Sequence, residues 1–155
     1  RNEQSLLINI TSFLLERMEQ KELTDDDHVK IKEPVKLILH NRPTELGDRV
    51  AVLFNRLSDD NDKDTISMMI KSKSDRYRSQ GVKSIVRCSQ DIKEHFLPDL
   101  IKLLDDKDST TRDWALLAIR RYKGEFAGSG LPKKVFEKER ERIKQWWKDR
   151  QSGRK

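Results

Sequence analysis

The chain has 155 residues, 39% charged and 34% hydrophobic, with a net charge of +6 at pH 7. An average globular domain is about 25% charged, so the core must be thin, which fits an elongated chain or a partly disordered one. One cysteine, Cys88, excludes an internal disulfide and any multi-cysteine metal site, and no apolar run approaches the ~20 residues needed to cross a bilayer.

The charge is uneven. Residues 131–155 carry 10 Lys/Arg against 4 Asp/Glu and so account for the whole +6; residues 1–130 are balanced. A nucleic-acid reading must rest on that tail. The chain begins at Arg1 rather than Met, which reads as a trimmed or processed chain, either cytoplasmic or exported after loss of an N-terminal segment.

Apolar residues recur at helical spacing throughout, and Leu, Ile and Val are too frequent and too periodic for global disorder. "EQSLLINITSFLLERMEQ" places Leu6, Leu7, Ile10, Phe13, Leu14 and Met18 on one stripe and predicts a helix over 3–22. Thr24 or Asp25 then caps, and Pro34 fits the first turn of a helix running to Asn41. Thr44 caps a helix through Leu57. "SDDNDKD" breaks the chain, a short helix covers 65–72, and another covers 75–89 despite Gly81. "DIKEHFLPDLIKLLDD" predicts a helix with Pro98 near its first turn. "TTRDWALLAIRRY" is the next helix. "KGEFAGSG" is a glycine loop, and the last helix starts at Pro132. About eight helices with no strand make an all-α protein.

A shift of 34 residues lays 65–87 on 99–121. Ile66 meets Leu100, Met69 meets Leu103, Ile70 meets Leu104, Arg78 meets Arg112, Gly81 meets Ala115 and Ile85 meets Ile119. A small residue thus falls on a small residue, as two closely packed helices require. Gly costs about 0.5–1 kcal/mol relative to Ala inside a helix, and closer approach offsets that cost.

Residues 96–122, "FLPDLIKLLDDKDSTTRDWALLAIRRY", resemble the HEAT-repeat family. They carry its Leu-Pro start (Leu97, Pro98), a Leu-Leu pair before an acidic turn, Asp106 six residues before Arg112, and a small residue at Ala115 followed by Ile119. The resemblance extends to 65–89, where Ser72 stands in place of the Asp, and reaches 28–58 only through the helix count. It implies an α-α superhelix, with Asp106 and Arg112 as structural residues pairing across the turn and between neighbouring repeats. The "WW" pair, Trp146 and Trp147, also looks like the tails of some bacterial HEAT-repeat proteins. Stacked hairpins would bury stripes that none buries alone, and residues 1–130 would form the array.

The second helices of the two hairpins differ on one stripe: Gln80 and Lys83 correspond to Trp114 and Leu117. The apolar version needs a cover. Val135, Phe136, Ile143, Trp146 and Trp147 make residues 131–150 a candidate capping helix, with Lys133, Lys134, Lys138, Arg142, Lys144 and Lys148 outward and 151–155 a disordered tail. The alternative use of the tryptophans is as a partner hot spot.

Chemistry is sparse. His28, His40 and His95 stand in separate helices, and Cys88 and His95 lack an orienting third group; a buried Cys88 and an exposed His95 are expected. "TDDDH" lacks the spacing and glycine of a calcium loop and reads as a helix-capping cluster. Some HEAT-like proteins act on damaged bases, for which Asp113 beside Trp114 is the one local acid, but Trp114 already belongs to the capped face. No catalytic, cofactor or metal site is expected. The sequence favours a non-catalytic scaffold, a monomer, that binds an acidic protein or peptide through Arg76, Lys83, Arg87, Arg120 and Arg121. The alternative is nucleic-acid binding through the basic C-terminal helix with stacking Trp residues.

Overall fold

In the computed structural model, residues 2–41, 47–125, 128 and 130–153 are described. Among them lie eight α-helices and no strand: α1 (Asn2–Glu19), α2 (Asp25–Asn41), α3 (Gly47–Leu57), α4 (Lys63–Ile70), α5 (Asp75–Arg87), α6 (Gln90–Leu103), α7 (Ser109–Tyr122) and α8 (Lys133–Gln151). A 3₁₀ turn, Asp60–Asp62, precedes α4. The chain divides into two compact units, Arg1–Ser84 and Ile85–Lys155.

In the first unit, α3 packs against both α1 and α2. Val50, Leu53, Phe54 and Leu57 recur at helical spacing along α3 and are all buried. On α1, the side toward α3 is fixed by Arg49, which donates to the Ser12 hydroxyl at 2.7 Å, and by Arg56, which donates to Glu19 at 2.9 Å. The α1 stripe is therefore split: Leu7, Leu14 and Met18 are half-buried, whereas Leu6, Ile10 and Phe13 stay exposed. Helix α1 also stops three residues early. Lys21 takes a left-handed φ of 56°, and the Glu22 amide turns back to the Arg17 carbonyl at 3.0 Å, closing the last turn.

Thr24 caps α2. The Asp27 amide donates to its hydroxyl at 3.2 Å, and the Thr24 amide donates to the Asp27 carboxylate at 2.9 Å. This reciprocal box holds the Asp27 carboxyl below its ordinary range, chiefly through the bond from the Thr24 backbone. The acidic cluster thus acts as a cap. Thr44, expected to cap α3, lies outside the described residues.

Both prolines sit deeper in their helices than the sequence suggests. Pro34 lies inside α2 and Pro98 inside α6. Neither can donate to the carbonyl four residues back, a loss that ordinarily ends or kinks a helix. Here both face outward, so water can serve those carbonyls. The neighbours Val35 and Leu39, and Phe96, Leu97 and Leu100, are buried, and their packing carries each helix past its breaker.

The turns before α5 and α7 are built alike. Arg78 donates to the carbonyls of Ser72 (2.9 Å) and Lys73 (3.0 Å). Arg112, 34 residues on, donates to the carbonyls of Asp106 (2.7 Å) and Lys107 (3.1 Å). The Ser72 hydroxyl accepts from the Ser74 amide, as the Asp106 carboxylate accepts from the Asp108 amide. Ser74 and Asp108 then take the cap position, accepting from the amides of Tyr77 and Thr111. Ser72 is thus no defect in the period: its hydroxyl accepts the bond that the Asp106 carboxylate accepts. Arg78 also reaches the Asp75 carboxylate at 2.5 Å, where the second turn has Ser109.

Gly81 meets α4 at close range. A Cβ at this position would lie 2.9 Å from Ile70 Cγ2, 3.0 Å from Met69 Cβ and 3.2 Å from the Ile70 nitrogen. Its counterpart Ala115 is fully buried. In the second unit α6 packs on α7 and α8 on α6, around Phe96, Leu100, Leu104, Ile119, Phe136 and Ile143. Cys88 is buried and His95 exposed. The Lys93 ammonium donates to the Cys88 carbonyl.

Candidate partner-binding surface

The second unit carries the most elaborated surface, and its construction starts at the end of α7. Gly124 adopts φ 72°, a region closed to most side chains. Its amide bonds to the Arg121 carbonyl, and the next amide, of Glu125, bonds to that of Arg120. This paired closure sets the Glu125 carboxylate beside the helix end. There it accepts from Arg142 of α8 at 2.7 and 3.1 Å and pairs with Lys123 at 3.1 Å and Arg120 at 3.6 Å. The bond from Arg142 holds the Glu125 carboxyl down at about 2 and raises the Arg142 guanidinium.

Two further anchors join α8 to α6 and its C-terminal end. Asp105 pairs with Lys144 at 2.5 Å and with Arg140 at 3.6 Å. Glu94 pairs with Arg150 and accepts from the Tyr122 hydroxyl; that hydroxyl also accepts from Arg150 at 3.0 Å. The bond from Tyr122 lowers the Glu94 carboxyl and raises the Tyr122 phenol, so at neutral pH Glu94 is ionised and Tyr122 keeps its proton.

Between these anchors the aromatic rings and cations interleave. Lys123 Nζ lies 4.6 Å from the Trp146 ring centre, and the Arg150 guanidinium lies 5.5, 5.7 and 5.8 Å from those of Tyr122, Trp146 and Trp147. Each such contact is worth about 0.5–1 kcal/mol at an exposed site. An open groove of about 840 Å³ runs along this edge, lined by Lys123, Arg142, Gln145, Trp146, Asp149, Arg150 and Gly153. Trp146 and Trp147 are half-buried. Trp146 packs beside Tyr122 and also walls the groove.

The sequence expected the last helix to fold back over the face that carries Trp114 and Leu117. Helix α8 buries Phe136 and Ile143 and packs on α6, reaching α7 at Tyr122 and Lys123. Val135, expected on the packed stripe, is 45% exposed. Lys133, Lys134, Lys138, Arg142 and Lys148 do face outward, whereas Lys144 is half-buried against Asp105. The helix continues through Gln151, which the sequence placed in the tail; Arg154 and Lys155 lie outside the described residues, as do Phe126, Ala127 and Ser129 of the glycine loop.

No family model, curated protein or solved structure matches the chain. The residues themselves must carry any functional reading. Arg76 and Lys83 belong to the first unit; Arg87, Arg120 and Arg121 belong to the second. Arg76, Arg87 and Arg121 are exposed and Lys83 is half-buried. Arg120 differs. Its side chain is 18% exposed and held between Glu125 and Glu139, so it belongs to the anchoring of α8. Asp113 is half-buried beside Trp114, and burial raises its carboxyl pKa. Sequence reasoning missed Glu94, Asp105 and Glu125 as anchors. Part of the signal was present: Asp105 and Glu125 each follow the end of a helix, and the last helix is strongly cationic, whereas Glu94 lies inside α6.

Glu125 makes a pH-dependent contribution. Its folded pKa is depressed from 4.5 to about 2, so its stabilisation is complete above about pH 5 and fades as pH falls toward 2. A partly exposed network of this kind is worth about 1 kcal/mol or less. The Glu125→Gln variant should melt below the parent protein at pH 7, and the difference should shrink across pH 4.5 to 2. Melting curves on both proteins at stepped pH check this; a gap that stays constant down to pH 2 would assign the effect to packing.

Proposed function

We propose that the chain is a non-catalytic interaction module built from HEAT-like helical repeats, binding an acidic segment of another protein. The observation that supports it most is the recurrence, 34 residues apart, of one turn with its arginine clasp and cap, followed by a buried small residue. Such repeats cannot bury their stripes alone and gain stability by stacking, which leaves their outer helices free to present side chains. In this reading exposed Arg87 and Arg121 of the second unit meet the acidic partner, and Arg76 and Lys83 of the first unit are a separate candidate surface. Arg120 is excluded because its side chain is only 18% exposed.

The nucleic-acid alternative draws on Lys133, Lys134, Lys138 and Lys148, exposed along α8. Against it, Arg140, Arg142, Lys144 and Arg150 of the same helix lie on Asp105, Glu125, Glu139 and Glu94, which cancels much of the tail's field.

Fluorescence anisotropy with a labelled Glu/Asp-rich peptide, a duplex and a single-stranded oligonucleotide separates the two. The acidic peptide should bind, and Arg87→Glu with Arg121→Glu should abolish binding while Lys134→Glu with Lys138→Glu leaves it intact. Oligonucleotide binding that falls steeply with salt and is lost with the α8 pair would instead establish the alternative.

A further inference from the structure

The first 18-residue helix carries a surface that its own unit leaves uncovered. Residues 4–15, "QSLLINITSFLL", contain no charged residue, the longest such run in a chain that is 39% charged. Within it Leu6 is 59%, Ile10 44% and Phe13 53% exposed. Depletion of charge around exposed large apolar side chains is the compositional mark of an interface centre. The stripe has a second property. Glu3, Leu6, Ile10, Phe13 and Arg17 follow one another at helical spacing on the exposed face, with an acid at one end, a base at the other and Ile10 midway.

That arrangement is self-complementary. We infer that α1 is the contact of a weak two-fold homodimer, in which two copies of the helix lie antiparallel and cross at Ile10. A two-fold axis there pairs each residue with the one as far on the other side of position 10. Glu3 then faces the partner's Arg17, and Ile10 faces the partner's Ile10. Leu6 and the partner's Phe13 lie on the same side of the axis at nearly the same height, and these two residues are 59% and 53% exposed, so they pack together twice by symmetry. Arg17 now pairs with Glu22 and lies 4.9 Å over the Phe13 ring. An exposed pair of this kind is worth little and can yield to Glu3 of a second copy. A helix of this length spans about 27 Å, and one face of it offers less than the ~800 Å² per partner of a standard interface. The dimer is accordingly weak, which departs from the monomer expected of the sequence.

Sedimentation equilibrium from about 10 μM to about 1 mM, a range suited to weak association, should show a monomer–dimer equilibrium. Ile10→Arg should leave a monomer with unchanged helical content, since the side chain is exposed. Glu3→Arg and Arg17→Glu should each weaken association, and the double reversal should restore it. Under mild oxidation Ile10→Cys should form a covalent dimer, because the axis brings the two copies of position 10 within disulfide reach. Ser5→Cys, equally exposed but about 15 Å from its symmetry mate along the helix, should not. A chain that stays monomeric at the highest concentration, association that survives Ile10→Arg, or cross-linking as efficient at Ser5→Cys as at Ile10→Cys would overturn the proposal. So would vesicle or foreign-protein binding by a strictly monomeric chain.

Discussion

Replacing Gly81 with valine will destabilise the protein by about 3 kcal/mol. In an ordinary helix the change would be slightly favourable, since glycine is worse than alanine by about 0.5–1 kcal/mol and β-branched valine gives up part of that gain. Here even the first carbon meets atoms at 2.9, 3.0 and 3.2 Å, the last of them a backbone nitrogen of α4. The Ile70 methyl can rotate aside, but the helix backbone cannot, so α4 and α5 must separate. Alanine at 81 should cost about 1 kcal/mol, the overpacking exceeding the gain in helix propensity. Urea titrations on both variants decide the matter. An alanine variant more stable than the parent would mean that α4 and α5 separate without loss.

Asp62→Ala should cost about 3 kcal/mol. Asp62 is 1% exposed, yet its carboxylate takes three partners: the Asp59 amide at 2.9 Å, Lys32 at 3.2 Å and Lys36 at 3.3 Å. It closes the 3₁₀ turn, whose capping box with Asp59 is complete, and ties that turn to α2. Removing it leaves the Asp59 amide unserved and two ammonium groups, only 15% and 24% exposed, without their buried counter-charge. The bonds to Asp59 and Asp62 outweigh burial and raise the Lys32 pKa. Asp62→Asn should fall between parent and alanine variant, because the amide oxygen still accepts from Asp59. A loss below about 1 kcal/mol, the level of an exposed pair, would contradict the assignment.

Helix number and order were legible because apolar spacing is a local signal that packing reinforces. The cap of α2 was legible for the same reason, since a cap lies within four residues, although the sequence left Thr24 and Asp25 as alternatives and the reciprocal bond to Asp27 was not read. The two prolines were misread because their local signal is opposed by burial of Val35, Leu39 and Leu100, which the sequence does not display. Asp62 was invisible for a related reason. Four aspartates fall within 59–64, and only contact with lysines of α2 singles one out. Which half of the α1 stripe would be covered was not legible, because spacing reports which residues share a face, never what lies opposite. Arg120 read as exposed because Glu125 reaches it only through the reversal at Gly124.

Matched substitutions at Arg78 and Arg112 test the shared turn most directly. Each guanidinium serves two main-chain carbonyls at equivalent positions, and hydrogen bonds to charged groups are worth about 1.5–3 kcal/mol. Chemical denaturation of Arg78→Ala and Arg112→Ala should show losses of that order in both. Lysine should rescue neither fully, because a single ammonium lacks the planar fork. A large loss at one position with none at the other would show that the two turns are held by different means and that the 34-residue period is coincidence.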